Sequence, residues 1–137
     1  MLRAVLDTNV VISAHLKIEG TQALILDLAL SNYFRCFVSE SLLEEYEGVL
    51  LRARFGFSAH YVSRAIRQLR RKMTIVSPKR SLKVAADPDD NKVVECALEA
   101  RADYVVTGNL RHFPLKFQDI RFVARRDFLT ILSSGTA

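Results

Sequence analysis

Four short stretches of this chain carry carboxylate, amide or hydroxyl side chains in patterns that suit chemistry: Asp7-Thr8-Asn9, Glu44-Glu45 with Glu47, Asp87-Pro88-Asp89-Asp90, and Thr107-Gly108-Asn109. Clustered carboxylates are the hard oxygen donors that Mg²⁺ or Mn²⁺ takes, and such a cation serves phosphate chemistry. Each stretch also has a plain structural reading. Asp7 suits the N-cap of a following helix. The three aspartates at 87, 89 and 90 complement a helix dipole. Gly108-Asn109 is a common turn pair, and the glutamates could simply form a solvated helix face.

Helical phase narrows the choice. At about 100° per residue, Leu42, Leu43, Tyr46, Val49 and Leu50 share one face of a helix. Glu44 falls opposite that face, and Glu45 and Glu47 fall on its two flanks, where periodicity does not separate them. Asp90 shares an inward stripe with Val93, Val94 and Ala97, whereas Asp89 lies about 100° away. A carboxylate aimed inward needs a partner, because an unpaired buried charge is costly.

The elements that would position these groups alternate in type. Short apolar runs predict strands at 2–6, 34–38, 74–76, 104–107 and 121–123. Helical patterns fill 10–16, 22–30, 39–51, 59–73, 88–101 and 126–132. Ser41 and Glu44 are spaced as a capping box near the start of 39–51, and Asp87 with Pro88 makes an N-cap and first helical position. This alternation predicts an α/β fold, a three-layer α/β/α sandwich with a mostly parallel central sheet, as one domain over 1–137. Ligands of such sheets gather beyond the carboxyl ends of the strands. Asp7, Thr8 and Asn9 follow the first strand, and Thr107 and Asn109 close the fourth, so both groups fall at that edge. Asp103, at the opposite end of the fourth strand, is assigned to a turn.

Composition agrees with phosphate work. Twenty Lys and Arg against fifteen Asp and Glu give a net charge of +5 and a pI near 9.5, which favours a polyanionic partner. In 59–73, Arg64, Arg67 and Arg71 fall within about 60° of one another, opposite Val62, Ile66, Leu69 and Met73. They could track phosphates, dock an acidic protein segment, or form a solvated face, with Arg52, Arg54, Arg70 and Lys72 adding charge nearby. Arg101, Arg111, Lys116, Arg125 and Arg126 suggest a second basic zone. Phe55, Phe57 and Tyr61 are candidates for a contact surface or for packing over the core. His15, His60 and His112 lack ligand spacing and are assigned surface or packing roles. Cys36 and Cys96 are expected as buried reduced thiols. The opening residues do not read as a signal peptide and no run is long enough to span a bilayer, so a cytoplasmic location is expected.

Taken together, Leu6-Asp7-Thr8-Asn9-Val10, the segment from Ser39 to Tyr46, Asp87-Pro88-Asp89-Asp90-Asn91-Lys92 and Val106-Thr107-Gly108-Asn109 resemble the PIN-domain nucleases. The match is to the subgroup described as toxin components of bacterial and archaeal toxin–antitoxin pairs, and it runs from Leu2 to about Leu129. The resemblance implies a parallel-sheet α/β/α fold and an endoribonuclease dependent on Mg²⁺ or Mn²⁺. It places the metal-holding acids on Asp7, Glu45 rather than Glu47, and Asp90. It puts polar positioning groups on Asn9 and Thr107, and Thr8, a polar residue at the same edge, is a further positioning candidate. An antitoxin partner and a homodimer are further implications. One departure stands out: the fourth site position, often Asp in these proteins, is Asn109, which should weaken a second metal site. In-line attack by water, leaving a 5′-phosphate and a 3′-hydroxyl, is what the resemblance implies for the chemistry.

Two other classes compete. A phosphatase or phosphotransferase with Asp7 as nucleophile usually wants a second Asp two residues on, where this chain has Asn9. A catalytically weak RNA-binding or regulatory module with a degenerate acidic site draws some support from Asn109, against Asp7, Glu45 and Asp90.

Overall fold

A computed structural model gives the protein's structure over residues 1–134. In chain order the elements are β1 (Arg3–Leu6), α1 (Thr8–Leu16), α2 (Thr21–Leu30), β2 (Arg35–Val38), α3 (Glu40–Leu50), α4 (Ala59–Lys72), β3 (Thr74–Ile75), α5 (Asn91–Ala100), β4 (Tyr104–Val106), β5 (Lys116–Phe117), β6 (Ile120–Val123) and α6 (Arg125–Ser133). Three short 3-10 turns lie at Ala53–Phe55, Pro88–Asp90 and Leu110–His112.

The sheet has six strands in the order β3-β2-β1-β4-β6-β5. All neighbours pair in parallel except β5, which runs antiparallel to β6. The central strands are apolar along their whole length because both faces are covered: Ala4, Val5, Leu6, Val105 and Val106 are all fully buried. The chain steps outward from β1 to β2 to β3, then crosses back to β4. Right-handed crossovers therefore put α5 on the face opposite the α1–α2 connection. There α5 packs on β1, β2 and β4, while α1 packs on α2 and α3, and α6 docks on α2. The result is the three-layer α/β/α sandwich. Between β1 and β4 the chain reverses direction across the sheet, and such a switch point opens a crevice beyond the strand ends.

Local chemistry accounts for the differences from the sequence expectations. Helix α1 starts at Thr8, two residues earlier than the apolar pattern predicts, because Asp7 is its N-cap. That brings Thr8 and Asn9 into the first helical turn. Helix α3 is capped by Ser39, whose Oγ accepts from the Leu42 N–H at 3.2 Å. The proposed capping box at Ser41 is therefore corrected, since β2 ends at Val38 and the chain turns at once. The predicted helix 88–101 divides: Asp87 caps a 3-10 turn through the Asp89 N–H at 3.0 Å, and the α-helix proper begins at Asn91. Strand β5 was not foreseen, because its two residues are joined to β6 through Gln118 at φ 52° with neither Gly nor Asn to signal the turn.

In α4, Val62, Ala65, Ile66 and Leu69 are buried and Arg64, Arg67 and Arg71 exposed, as the phase predicts. Phe55 and Phe57 pack against the core, and Phe57 stacks on the half-exposed Tyr61 with ring centroids 4.8 Å apart. Cys36 and Cys96 are free and buried. Burial raises both thiols, Cys96 to about 12, so neither is a nucleophile at neutral pH. No helix among the described residues is long and apolar enough to cross a membrane.

Candidate active site

Asp7 stands at the carboxyl end of β1, continuing the strand by donating its N–H to Val106 O at 2.9 Å. Its residue is only 5% exposed. Oδ1 accepts from the Thr8 N–H at 2.8 Å, and Oδ2 accepts from the Thr107 hydroxyl at 2.7 Å. Asn9 Nδ2 is a longer 3.5 Å from Oδ2. Asp7 is thus both a helix cap and an inward-facing acid, so its two readings hold together. Burial is the main cause that pushes its pKa up to about 6; the Thr107 and Thr8 hydrogen bonds pull the other way, and the charges of Asp90 and Glu45 add to the rise. Carboxylate repulsion is therefore real but secondary to desolvation.

Thr107 joins the two central strand ends. Its N–H donates to Val123 O at 3.0 Å, its hydroxyl donates to Asp7, and the same oxygen accepts from the Asn109 N–H at 3.0 Å. Gly108 then passes close to α1: its N–H reaches Asn9 Oδ1 at 2.9 Å, and a Cβ at this position would come within 3.2 Å of that oxygen. Asn9 is held in this way between β4 and Asp7. The glycine serves a close approach here, beyond the turn chemistry read from its type.

From α3, Glu45 reaches the same crevice. Its Oε2 accepts the Thr8 hydroxyl, and its Oε1 lies 3.6 Å from the Lys92 ammonium on α5. Glu47 takes the other flank of α3, where its charge acts on Arg70 of α4 together with the Arg70–Glu40 ion pair. The structure thus separates the two glutamates that periodicity left equivalent. It also puts α4 across α3 from the acids, so Arg64, Arg67 and Arg71 are not brought to this crevice.

Asp90 ends the 3-10 turn at the head of α5 and makes no capping hydrogen bond with its side chain. The dipole explanation covers Asp87, which does cap, but leaves the Asp90 carboxylate free for another task. Burial raises its pKa, hydrogen bonding and charge from His112 lower it, and Asp87 and Glu45 raise it. His112 Nδ1 lies 3.1 Å from Asp90 Oδ2. His112 is at the surface, as expected, with its side chain 45% exposed, and the contact with Asp90 adds to that role. Two residues separate it from Asn109, but the 3-10 turn folds it back over the edge, which spacing in sequence does not reveal. Lys92 is the other site residue that its sequence position did not single out.

Asn109 contributes its backbone N–H, and its exposed side chain makes no hydrogen bond to the acids. Asp103 lies at the opposite sheet edge, its Oδ2 accepting from the Arg3 N–H at 2.9 Å. The second basic zone divides between the two edges, because register carries Arg101 and Lys116 to the amino end of β4 and β6, while Arg111 sits beside His112. Arg125 is tied to Thr21 at 2.9 Å.

The crevice presents hard oxygen donors from three elements, which suits Mg²⁺ or Mn²⁺. Among the described residues no three His, Cys, Asp or Glu side chains stand close enough to form a ready-made cage. Mg²⁺ usually keeps several waters and does not require such a cage.

Comparison with known proteins agrees with this fold. Residues 3–111 match the PIN domain family. An uncharacterized protein of Methanocaldococcus jannaschii, MJ1680, is 30% identical over 112 residues, spanning 79% of this chain and 71% of that protein. The fold is similar to the structure of VapBC-1 from nontypeable Haemophilus influenzae, with a TM-score of 0.59 at 18% identity, covering 91% of this chain and 99% of that one. This chain belongs to the PIN-domain family, whose members are generally nucleases.

Proposed function

We propose that this protein is a Mg²⁺- or Mn²⁺-dependent endoribonuclease and the toxin of a toxin–antitoxin pair. What supports the proposal is a chain of contacts at the β1–β4 switch point of a PIN domain: Thr8, next to Asp7, bonds Glu45 through its hydroxyl, and Lys92, two residues past Asp90, lies 3.6 Å from Glu45. Asp7, Glu45 and Asp90 would hold the cation. When bound, it would supply charge stabilisation for the phosphodiester and a more acidic attacking water.

The protein's own groups have definable tasks. Thr107 and the Thr8 N–H fix both oxygens of Asp7, so this carboxylate is preorganised and loses little freedom on binding a ligand. Thr8 orients Glu45, and Lys92 lies beside it with a charge suited to a phosphate oxygen. Asn9, locked by Gly108, is a candidate for positioning water or substrate. Asn109 brings no negative charge, which favours a single dominant cation over a matched pair. Arg111 lies next to His112 at the same edge and suits an RNA backbone.

The antitoxin part draws on the resemblance of the motifs to toxin components and on the structural likeness to VapBC-1. On this account the arginine ridge of α4, remote from the acids, docks an acidic protein segment more readily than the RNA being cut. The catalytically weak RNA-binding reading keeps one specific support, the exposed and unengaged Asn109.

The test is cleavage of mixed single-stranded and structured RNA in Mg²⁺, Mn²⁺ or EDTA, comparing the wild type with Asp7→Asn. Cutting that needs the cation and disappears in the variant is expected. RNA bound by the wild type without being cut in either cation would favour the weak-module reading.

A further inference from the structure

The three acids are not held alike. Asp7 has two short hydrogen bonds and Glu45 has Thr8 and Lys92, but His112 is the single side chain bonded to Asp90 among the described residues. Asp90 would otherwise be free to turn about its terminal torsion, because its side chain caps nothing.

The turn that carries His112 is braced independently of that bond. The His112 N–H donates to Asn109 O at 2.9 Å, and the His112 carbonyl accepts from the Ala86 N–H at 3.0 Å. Ala86 ends a strap, 82–86, that is itself fastened to α5. The Leu82 N–H donates to Glu95 Oε2 at 2.8 Å, and the Val84 and Ala85 N–H groups donate to Asn91 Oδ1 at 2.9 and 2.8 Å. Asn91 is 7% exposed and directly follows Asp90. The backbone at 112 is therefore fixed relative to the helix that Asp90 begins. A rigid mount on both sides of a lone hydrogen bond is what an orienting contact requires.

We infer that His112 is a positioning residue for Asp90, holding Oδ2 through Nδ1–H so that Oδ1 is left to engage a cation. An ionised carboxylate only accepts, so the ring nitrogen that faces it carries the hydrogen. Partners behind a liganding carboxylate set its orientation, and losing one typically costs about 10- to 100-fold in metal affinity. The inference rests on the proposed cation site and adds to it a residue outside the three acids.

Calorimetric titration of the intact protein with Mn²⁺ tests it, using wild type, His112→Ala and His112→Asn, each also melted in EDTA. Asn places an amide nitrogen near the position of Nδ1 and keeps the donor. The expected result is Mn²⁺ affinity lowered about 10-fold or more in His112→Ala and largely recovered in His112→Asn, with similar melting of all three in EDTA. Wild-type affinity in His112→Ala, or equal loss in both variants, would overturn the positioning role while leaving the cation site in place. Failure of the wild type itself to bind Mn²⁺ would reject the site and this role with it.

Discussion

Asp7 is the residue on which chemistry and stability meet. Its pKa of about 6 in the folded chain lies above the 3.8 of the free side chain, so the folded state binds the proton more tightly than the unfolded one. The sign follows: stability from this group is full below pH 3.8, falls as pH rises through about 6, and is lost above it. The cost at neutral pH is on the order of 3 kcal/mol for the cation-free protein. Asp7→Asn should therefore melt above the wild type at pH 7.5 in EDTA, with the gap closing by pH 4. Adding Mn²⁺ should raise the melting temperature of the wild type and not of the variant. A gap that stays constant between the two pH values would show that Asp7 is not the strained acid. The same residue shows how much was legible in the sequence. Its place after an apolar run made it visible, and the cap reading and the site reading each captured half of its bonding. His112 was invisible, because no periodicity governs a 3-10 turn that folds back on a helix head.

Elements position the acids through a few buried polar anchors. Among the described residues no buried side-chain nitrogen or oxygen lacks a partner, so each anchor carries a definite load. Asn91→Ala would orphan the Val84 and Ala85 N–H groups and should cost about 2 kcal/mol in urea unfolding. Ser39→Ala removes the cap of α3 and should cost about 1 kcal/mol. The Tyr46 hydroxyl donates to Leu6 O at 2.6 Å, fastening α3 to the strand that ends at Asp7. Tyr46→Phe should lose about 1 kcal/mol, measured the same way. Strand and helix order was readable because apolar runs and amphipathic phases are local signals. Phase placed Glu45 and Glu47 on opposite flanks of α3 but not against a neighbour. That distinction needs the packing of α4 on one side and α5 on the other, which is tertiary information. The two-residue β5 escaped for a related reason: its pairing with β6 supplies the order that its own sequence does not signal.

At the scale of the molecule, the net charge of +5 is unevenly useful. Lys92 and Arg111 lie at the acidic edge, whereas Arg64, Arg67 and Arg71 lie beyond α3. For a short single-stranded RNA bound to Asp7→Asn, adding Arg111→Ala should flatten the dependence of log affinity on log salt by about 0.7, one phosphate contact. Removing the three α4 arginines should leave that slope nearly unchanged. A larger effect from the ridge than from Arg111 would move the RNA path to the outer face of α4.

In the proposed function, Asp7, Glu45 and Asp90 form one cation site at the switch point between β1 and β4. Crystals of the wild type equilibrated with Mn²⁺ and measured at the manganese absorption edge test it most directly. A single strong anomalous peak within coordination or water-bridged distance of these three carboxylates, absent from Asp7→Asn, is the expected result. A peak confined to another part of the surface, or none at saturating Mn²⁺, would contradict the account.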